Sequence, residues 1–208
     1  MLTFEEMRRR LETSLPAKRY EHSILVYETA IKLAQIWQGD MEKVAVAALL
    51  HDCGREVPAK GSLARAYALN LTVDFVERSQ PILLHAKLGV YYARHKYGVT
   101  DKVILDAIGQ HTTGGPRMTQ TAIIVYLADL LEPTRDFPGI EDLRELAKHD
   151  LQRAMYKAYV NTMTYLLEYG LLIHPKCVTA YNQLAAVYKK EAMNAKLASG
   201  MLKKEENE

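Results

Sequence analysis

The sequence predicts an all-α protein built as a helix bundle. Apolar residues recur at helical spacing along most of the 208-residue chain, which is the pattern of helices that bury one face. Glycines, prolines and helix-capping residues separate these segments. No segment has the alternating pattern of a convincing β-strand, and no internal repeat is visible.

Length and composition indicate one soluble domain. The chain is 49% hydrophobic and 25% charged, which is ordinary for a globular protein with a sizeable core. We expect a single domain over residues 1–200, with a metal-binding core at about 18–135 and additional C-terminal helices at about 140–198. The polar segment 201–208 is predicted to be a disordered tail.

Charge and cysteine content exclude several classes of protein. The 27 basic and 25 acidic residues give a net charge of only +2, so no nucleic-acid-binding surface is predicted. Cys53 and Cys177 lie far apart and form no disulfide framework, which favours a reducing cytoplasm. No signal peptide is visible, and no apolar run approaches the ~20 residues that span a bilayer.

Two helices are predicted before Gly39. A short amphipathic helix precedes Pro16, and a longer one covers residues 18–37. Gly39 ends the second helix, and His22 lies in its first turns.

The third helix ends in an unusual pair of polar residues. Asp40 can cap its start, and residues 44–50 are all small or branched apolar side chains, as in a helix buried on most sides. The run ends at His51 and Asp52. Because burying these two groups unpaired would be costly, we expect a metal ion to satisfy them.

Further helices follow a loop that contains Gly54, Pro58 and Gly61. Three of these helices carry a metal-binding type of residue: His85 in a first turn, and His111 and Asp129 at or near helix ends. The predicted helices cover residues 62–69, 72–78, 82–97, 101–110, 119–131, 141–149, 151–169 and 176–198.

Six polar residues therefore lie on or at the ends of apolar helices. They are His22, His51, Asp52, His85, His111 and Asp129. Four histidines and two carboxylates are enough for two metal ions. Any one histidine taken alone is more often an ordinary core or surface residue, and we adopt that interpretation for His95, His149 and His174. It is a poorer explanation for six residues in this order, so the sequence predicts a dinuclear centre.

The roles of these residues follow from their positions. At a helix end Asp52 can bridge two ions, while His51 binds only one of them. We expect His22, His51 and Asp129 at the first ion, and His85 with His111 at the second. Two divalent ions about 3.5–4 Å apart can lower the pKa of a shared water and polarise a phosphoryl oxygen.

Cations near the predicted metals are candidates for binding phosphate. Arg55, beside the His51-Asp52 pair, and Arg135 are the first choices, and we also count Arg55 with Asp52 as catalytic. Lys87 and Arg117 are second choices, because ordinary solvated cations are a serious alternative for them.

The loop after His111 offers further phosphate donors. Its hydroxyl and backbone N–H groups belong to Thr112, Thr113 and Gly114. A Thr-Thr-Gly turn is also a common loop that by itself predicts nothing.

The ordered set H…HD…H…H…D resembles the signature of HD-domain metal-dependent phosphohydrolases. The flanking sequences are similar to those of bacterial YqeK-type proteins, and the resemblance spans roughly residues 16–175. The similar segments are R-Y-E-H-S at 19–23, L-L-H-D at 49–52, H-T-T-G at 111–114 and Y-L-A-D-L-L-E-P-T-R-D-F-P-G at 126–139.

This resemblance implies an HD-domain bundle with symmetrical bis(5′-nucleosyl)-tetraphosphatase activity. Diadenosine tetraphosphate and water would give two ADP, so the expected ligand is a dinucleoside polyphosphate or a nucleoside diphosphate. The resemblance implies iron, although imidazole and carboxylate ligands also suit manganese, nickel or zinc. Members of this family commonly have lysine where this chain has Arg55, and a guanidinium there can still bind phosphate.

Two other functions stay open. The protein could be another HD-type nucleotide phosphohydrolase or phosphodiesterase, acting on mononucleotides, alarmones or cyclic dinucleotides. Alternatively, it could be a nucleotide-sensing protein that keeps the metals without turnover, although a binding module could lose ligands that this chain retains. The C-terminal helices leave a homodimer open.

Overall fold

The computed structural model describes residues 1–189, and it confirms the all-α prediction. Helices joined by short loops make up this part of the chain, which contains no β-strand. Residues 190–198 of the last predicted helix and the predicted tail at 201–208 lie outside the described residues.

The helices have the following bounds. They are α1 (Phe4–Ser14), α2 (Ala17–Ile36), α3 (Met41–Leu50), α4 (Ala59–Ala68), α5 (Phe75–Ser79), α6 (Leu84–His95), α7 (Lys102–Gln110), α8 (Gln120–Leu131), α9 (Ile140–His149) and α10 (Leu151–Glu168). Short 3-10 helices occupy Cys53–Glu56 and Pro81–Leu83. Residues 175–189 are also helical.

Capping residues set the starts of three helices that build the site. Asp40 accepts a hydrogen bond from the backbone of Lys43 at the start of α3. Asp101 and Thr119 cap α7 and α8 in the same way. Both helices begin one residue later than predicted, because an N-cap residue lies outside the helix that it caps.

Helix α4 begins earlier than the sequence predicts. The sequence predicts a loop through Gly61, but the helix begins at Ala59. A glycine inside a helix costs only about 1 kcal/mol relative to alanine, so Gly61 does not prevent helix formation here.

Helix α3 lies at the centre of the bundle, as its apolar sequence predicts. Val44 and residues 46–50 are buried, and the helix packs against α2, α7 and α8. Burying these side chains contributes roughly 1.5–3 kcal/mol for each Val or Leu, so the helix that leads to His51 is firmly held.

The bundle brings several helix ends to one place. His51 follows α3, His111 follows α7, and Asp129 lies in the last turn of α8. The 3-10 turn after α3 packs against α6, which carries His85. The approach is close because Gly54 has no side chain: a Cβ there would lie 2.0 Å from the carbonyl oxygen of His85.

The helices in residues 1–189 do not meet the requirements of a membrane span. None of them is both long enough and apolar enough to cross a bilayer.

Candidate metal centre

The structure brings all six predicted metal-binding side chains together. Two groups of three can each place their donor atoms within 4.8 Å of one another, namely His22 with His51 and Asp129, and His51 with Asp52 and His111. His85 joins the second group, since its Nε2 is 2.9 Å from Nε2 of His111.

Asp52 lies between the histidines. Its Oδ1 is 3.3 Å from Nε2 of His85 and 3.6 Å from Nε2 of His111. Its Oδ2 is 3.9 Å from Nε2 of His51. The two oxygens of one carboxylate thus face different imidazoles, as a bridging ligand requires.

Backbone carbonyl groups orient three of the imidazoles. Nδ1 of His51 and Nδ1 of His111 each lie 2.7 Å from the carbonyl oxygen three residues before them, and Nδ1 of His85 makes the same contact. A carbonyl oxygen only accepts, so Nδ1 carries the hydrogen and donates. In a neutral imidazole this leaves the Nε2 lone pair facing the cluster, ready to bind a metal.

Burial keeps two of these imidazoles neutral. It lowers the pKa of His51 to about 4, because the carboxylates nearby only partly offset the loss of solvent. Burial, together with the electrostatic effect of the neighbouring His111, lowers the pKa of His85 to about 3. Both side chains are therefore unprotonated near neutral pH, which is the form that binds metal.

The carboxylates have the opposite preference and stay ionised. Burial alone raises the pKa of Asp52, but the imidazoles around it, led by His51, hold that pKa well below its usual range. Burial also raises the pKa of Asp129, and the hydrogen bond with His22 more than offsets it, so this pKa is low as well. Anionic oxygens and neutral imidazoles together suit divalent cations.

The surroundings of three imidazole Nε2 atoms in the cluster fit the binding of metal ions. Nε2 of His51 is buried and has no hydrogen-bond partner within the described residues. Nε2 of His85 and Nε2 of His111 face each other at 2.9 Å, although both are acceptors when Nδ1 carries the hydrogen. A positive ion between such lone pairs removes the conflict, so the donor set fits the metals that the sequence predicts.

Glu132 also belongs to the cluster, although it is not among the candidates predicted from the sequence. Its Oε1 is 3.3 Å from Nδ1 of His22, while Nε2 of the same imidazole is 3.1 Å from Oδ1 of Asp129. Glu132 is buried and accepts hydrogen bonds from the backbone and hydroxyl of Thr134. It therefore orients the ring of His22. Its place in the segment A-D-L-L-E-P was the available signal.

Both first-choice arginines lie at the cluster. Nε of Arg55 is 2.7 Å from each oxygen of Asp52, and its Nη2 is 3.2 Å from Nε2 of His85. Nη2 of Arg135 is 2.6 Å from Oδ1 of Asp129. The two guanidinium groups flank the predicted metal positions from separate loops.

Of the loop residues after His111, the structure brings Thr112 to the cluster. Its Oγ1 lies 3.0 Å from Nε2 of both His85 and His111. The hydroxyl of Thr113 donates to the carbonyl of Gly114, whose own N–H donates to the carbonyl of Gln110. The backbone N–H of Gly114 is therefore already used, contrary to the expectation that it binds nucleotide.

The structure does not bring Lys87 to the cluster. Its ammonium is 2.6 Å from Oε2 of Glu77 and 2.8 Å from the carbonyl oxygen of Thr72. Successive residues of a helix point about 100° apart, so a residue two positions after His85 points away from it. The expectation that Lys87 binds phosphate fails for this reason.

Arg117 is also placed elsewhere. It lines a cavity of about 120 Å³ with residues of α8, α10 and the helical segment 175–189, and its backbone N–H lies 3.3 Å from Oε1 of Gln183. None of the six predicted metal-binding residues lines this cavity. The loop after His111 runs away from the site before it reaches Arg117.

The remaining histidines contact other side chains away from the cluster. His95 is exposed and packs against a tyrosine, and His149 pairs with Glu145 at the surface. His174 is buried and lies 2.9 Å from Asp74. With Glu77 these two residues also have metal-like spacing, but the ammonium of Lys87 already provides a cation at Glu77.

Comparisons with known proteins identify the family of the chain. The HD domain family model matches residues 19–134. The chain is 40% identical to a symmetrical bis(5′-nucleosyl)-tetraphosphatase of Halalkalibacterium halodurans, over 82% of this chain and 90% of that protein. It is 35% identical to the protein of the same name from Staphylococcus aureus, over 87% of this chain and 95% of that protein.

The fold is also similar to that of a solved structure. This is a crystal structure from Clostridium acetobutylicum, described as a predicted HD superfamily hydrolase involved in NAD metabolism. The TM-score is 0.85 at 33% sequence identity, and the match covers 89% of this chain and 98% of that one.

Proposed function

Because the chain belongs to the HD-domain family, and within it to the group of symmetrical bis(5′-nucleosyl)-tetraphosphatases, we propose that it hydrolyses dinucleoside tetraphosphates symmetrically. Diadenosine tetraphosphate and water would give two ADP. One observation carries the proposal: four histidines and two carboxylates converge in one cluster with arginines beside it.

We propose that this cluster holds two divalent metal ions. His22, His51 and Asp129 would bind one ion, His85 and His111 the other, and Asp52 both. When bound, such ions lower the pKa of an attacking water and neutralise charge on the phosphoryl group. Iron is the metal that we propose, and the ligand types are equally compatible with manganese, nickel or zinc.

Arg55 and Arg135 would bind the phosphate groups. Each guanidinium has several N–H donors in one plane, an arrangement that matches phosphate oxygens. Both side chains reach solvent, at 22% and 40% exposure, whereas the side chain of Asp52 is 2% exposed. A polyphosphate would therefore approach the cluster from the side of the arginines.

Thr112 would donate a hydrogen bond to a phosphate group that reaches the cluster. Its hydroxyl lies within 3.0 Å of two imidazole nitrogens, so a phosphate oxygen at the cluster would come within its reach. One hydroxyl hydrogen can be donated to only one acceptor at a time, and a phosphate oxygen would be a better acceptor than either imidazole once those bind metal.

Product analysis tests the proposed reaction. Anaerobically purified protein of known metal content is incubated with diadenosine tetraphosphate, and the nucleotides are separated. We expect two ADP per substrate and neither ATP nor AMP. Equal amounts of ATP and AMP would contradict symmetrical cleavage. Conversion only of mononucleotides, alarmones or cyclic dinucleotides would favour another HD-type activity. If none of these substrates is converted, a sensing function would be favoured.

Replacing Arg135 with alanine should weaken substrate binding. Loss of a charged hydrogen-bonding partner typically costs about 1.5–3 kcal/mol, so KM for diadenosine tetraphosphate should rise roughly 10- to 100-fold while the metal content stays unchanged. Steady-state kinetics and metal analysis measure both. Arg117→Ala is the matched control, because Arg117 lies away from the cluster. Equal KM values for Arg135→Ala and the unmodified protein would show that Arg135 does not bind the phosphates of the substrate.

We also propose that the protein acts in the cytoplasm and that residues 1–200 form one domain. A single cluster of buried apolar side chains runs from Met7 in α1 to Ala180, which supports one cooperative unit. The balanced charge supports the proposal that nucleic acid is not a ligand.

A further inference from the structure

Arg19 lies beside the metal cluster at a position that the sequence did not single out. It precedes His22 by three residues on α2, so the two side chains share one face of that helix. Its Nη1 is 3.5 Å from Oδ2 of Asp52. The side chain is 43% exposed, and that of Asp52 only 2%. The guanidinium therefore lies between the buried carboxylate and solvent.

The other donors of Arg19 are available. Within residues 1–189, Asp52 is the only partner that its guanidinium contacts, and a guanidinium carries five N–H donors. Arg144 is a useful contrast, because its guanidinium is held by three backbone carbonyl oxygens between α8 and α9. Arg144 thus has a structural role, and Arg19 has donors left for a ligand.

Arg19 completes a set of three arginines around the cluster. Arg55 comes from the 3-10 turn after α3, Arg135 from the loop after α8, and Arg19 from α2. Each of them contacts a carboxylate of the cluster and is at least partly exposed. A third guanidinium from a separate element adds N–H donors for a chain of phosphates.

The charges of the site support a ligand with several phosphates. Three carboxylates, those of Asp52, Asp129 and Glu132, balance the three guanidinium groups. Two divalent ions would then leave about four positive charges unbalanced. A tetraphosphate chain carries about one negative charge per phosphate, so its charge matches this site when all three arginines are present.

We infer that Arg19 binds the polyphosphate chain of the substrate, as a third guanidinium beside Arg55 and Arg135. This inference rests on the proposed function and adds a specificity-determining residue to it. The contact with Asp52 would be exchanged for contacts with phosphate oxygens, which a planar guanidinium can bind in pairs.

The test compares Arg19→Ala with Lys32→Ala in the metal-loaded protein. Both changes remove one positive charge from α2, and Lys32 is exposed near the far end of that helix. For Arg19→Ala we expect KM for diadenosine tetraphosphate to rise about 10-fold or more, with kcat and metal content nearly unchanged. The dissociation constant of ADP, measured by calorimetry, should rise as well. Arg19→Lys should give intermediate values, and Lys32→Ala values close to those of the unmodified protein.

Other results would overturn the inference. Loss of metal, or a fall in kcat with unchanged KM, would show that Arg19 only positions Asp52. Unchanged KM and unchanged ADP affinity in Arg19→Ala would exclude a contact with phosphate. If the unmodified protein does not cleave diadenosine tetraphosphate, the proposed function fails, while ADP calorimetry still decides whether Arg19 binds phosphate.

Discussion

Replacing Asp52 with alanine is expected to abolish hydrolysis of diadenosine tetraphosphate and to remove at least one metal ion. Its two carboxylate oxygens face His85 and His111 on one side and His51 on the other, so its loss removes the proposed bridge between the ions. We expect activity to fall by about 1,000-fold or more. Formation of ADP and metal content per chain are the quantities to measure.

Folding of the Asp52→Ala protein should largely survive. Helix α3 keeps its buried apolar residues, and the change removes a buried charge that is costly without metal. Arg55 loses its carboxylate partner but is 22% exposed, so water can solvate it. Circular dichroism should show helical content near that of the unmodified protein. Asp142→Ala, at an exposed carboxylate on α9, is the matched control. Both metals and full turnover in Asp52→Ala would mean that Asp52 is not the bridge.

Replacing Gly114 with alanine should strongly reduce stability. Gly114 has a left-handed backbone with φ of +63°, and a Cβ there would lie 1.9 Å from the hydroxyl oxygen of Tyr159. Tyr159 is 1% exposed and packed in the core, so it cannot move aside freely. The backbone cost and the overpacking together should lower the free energy of unfolding by roughly 2–5 kcal/mol.

A variant at a second glycine distinguishes the cost of the left-handed backbone from the cost of overpacking. Gly139 also has a left-handed backbone, with φ of +82°, but no atom lies within 4 Å of a Cβ built there. Gly139→Ala should therefore show only the backbone cost of about 1–2 kcal/mol. Adding Tyr159→Phe to Gly114→Ala should restore part of the lost stability. Urea unfolding measures all three, and equal losses for the two glycine variants would exclude a clash with Tyr159.

The cluster of candidate metal ligands could be predicted from the sequence because several of its members end an apolar helix. A histidine or aspartate at the end of a buried helix, such as His51 or Asp129, must enter the interior with that helix. This burial makes the residue unusual before any coordinates are known.

Arg19 and Glu132 could not be found in this way. A charged residue in the first turn of a helix or in a loop is ordinary in an apolar pattern, and the packing of α2 against α3 and α8 shows that these two side chains meet the cluster. Lys87 shows the opposite error. It lies next to His85 in sequence, but the rotation of the helix turns it towards Glu77.

The positions of the metal ions test the central claim most directly. Crystals of the anaerobically purified protein should be measured at the absorption edge of the bound metal. We predict two anomalous peaks, one bound by His22, His51 and Asp129 and the other by His85 and His111. Asp52 should contact both. A single peak, or a second peak away from these side chains, would contradict the dinuclear centre.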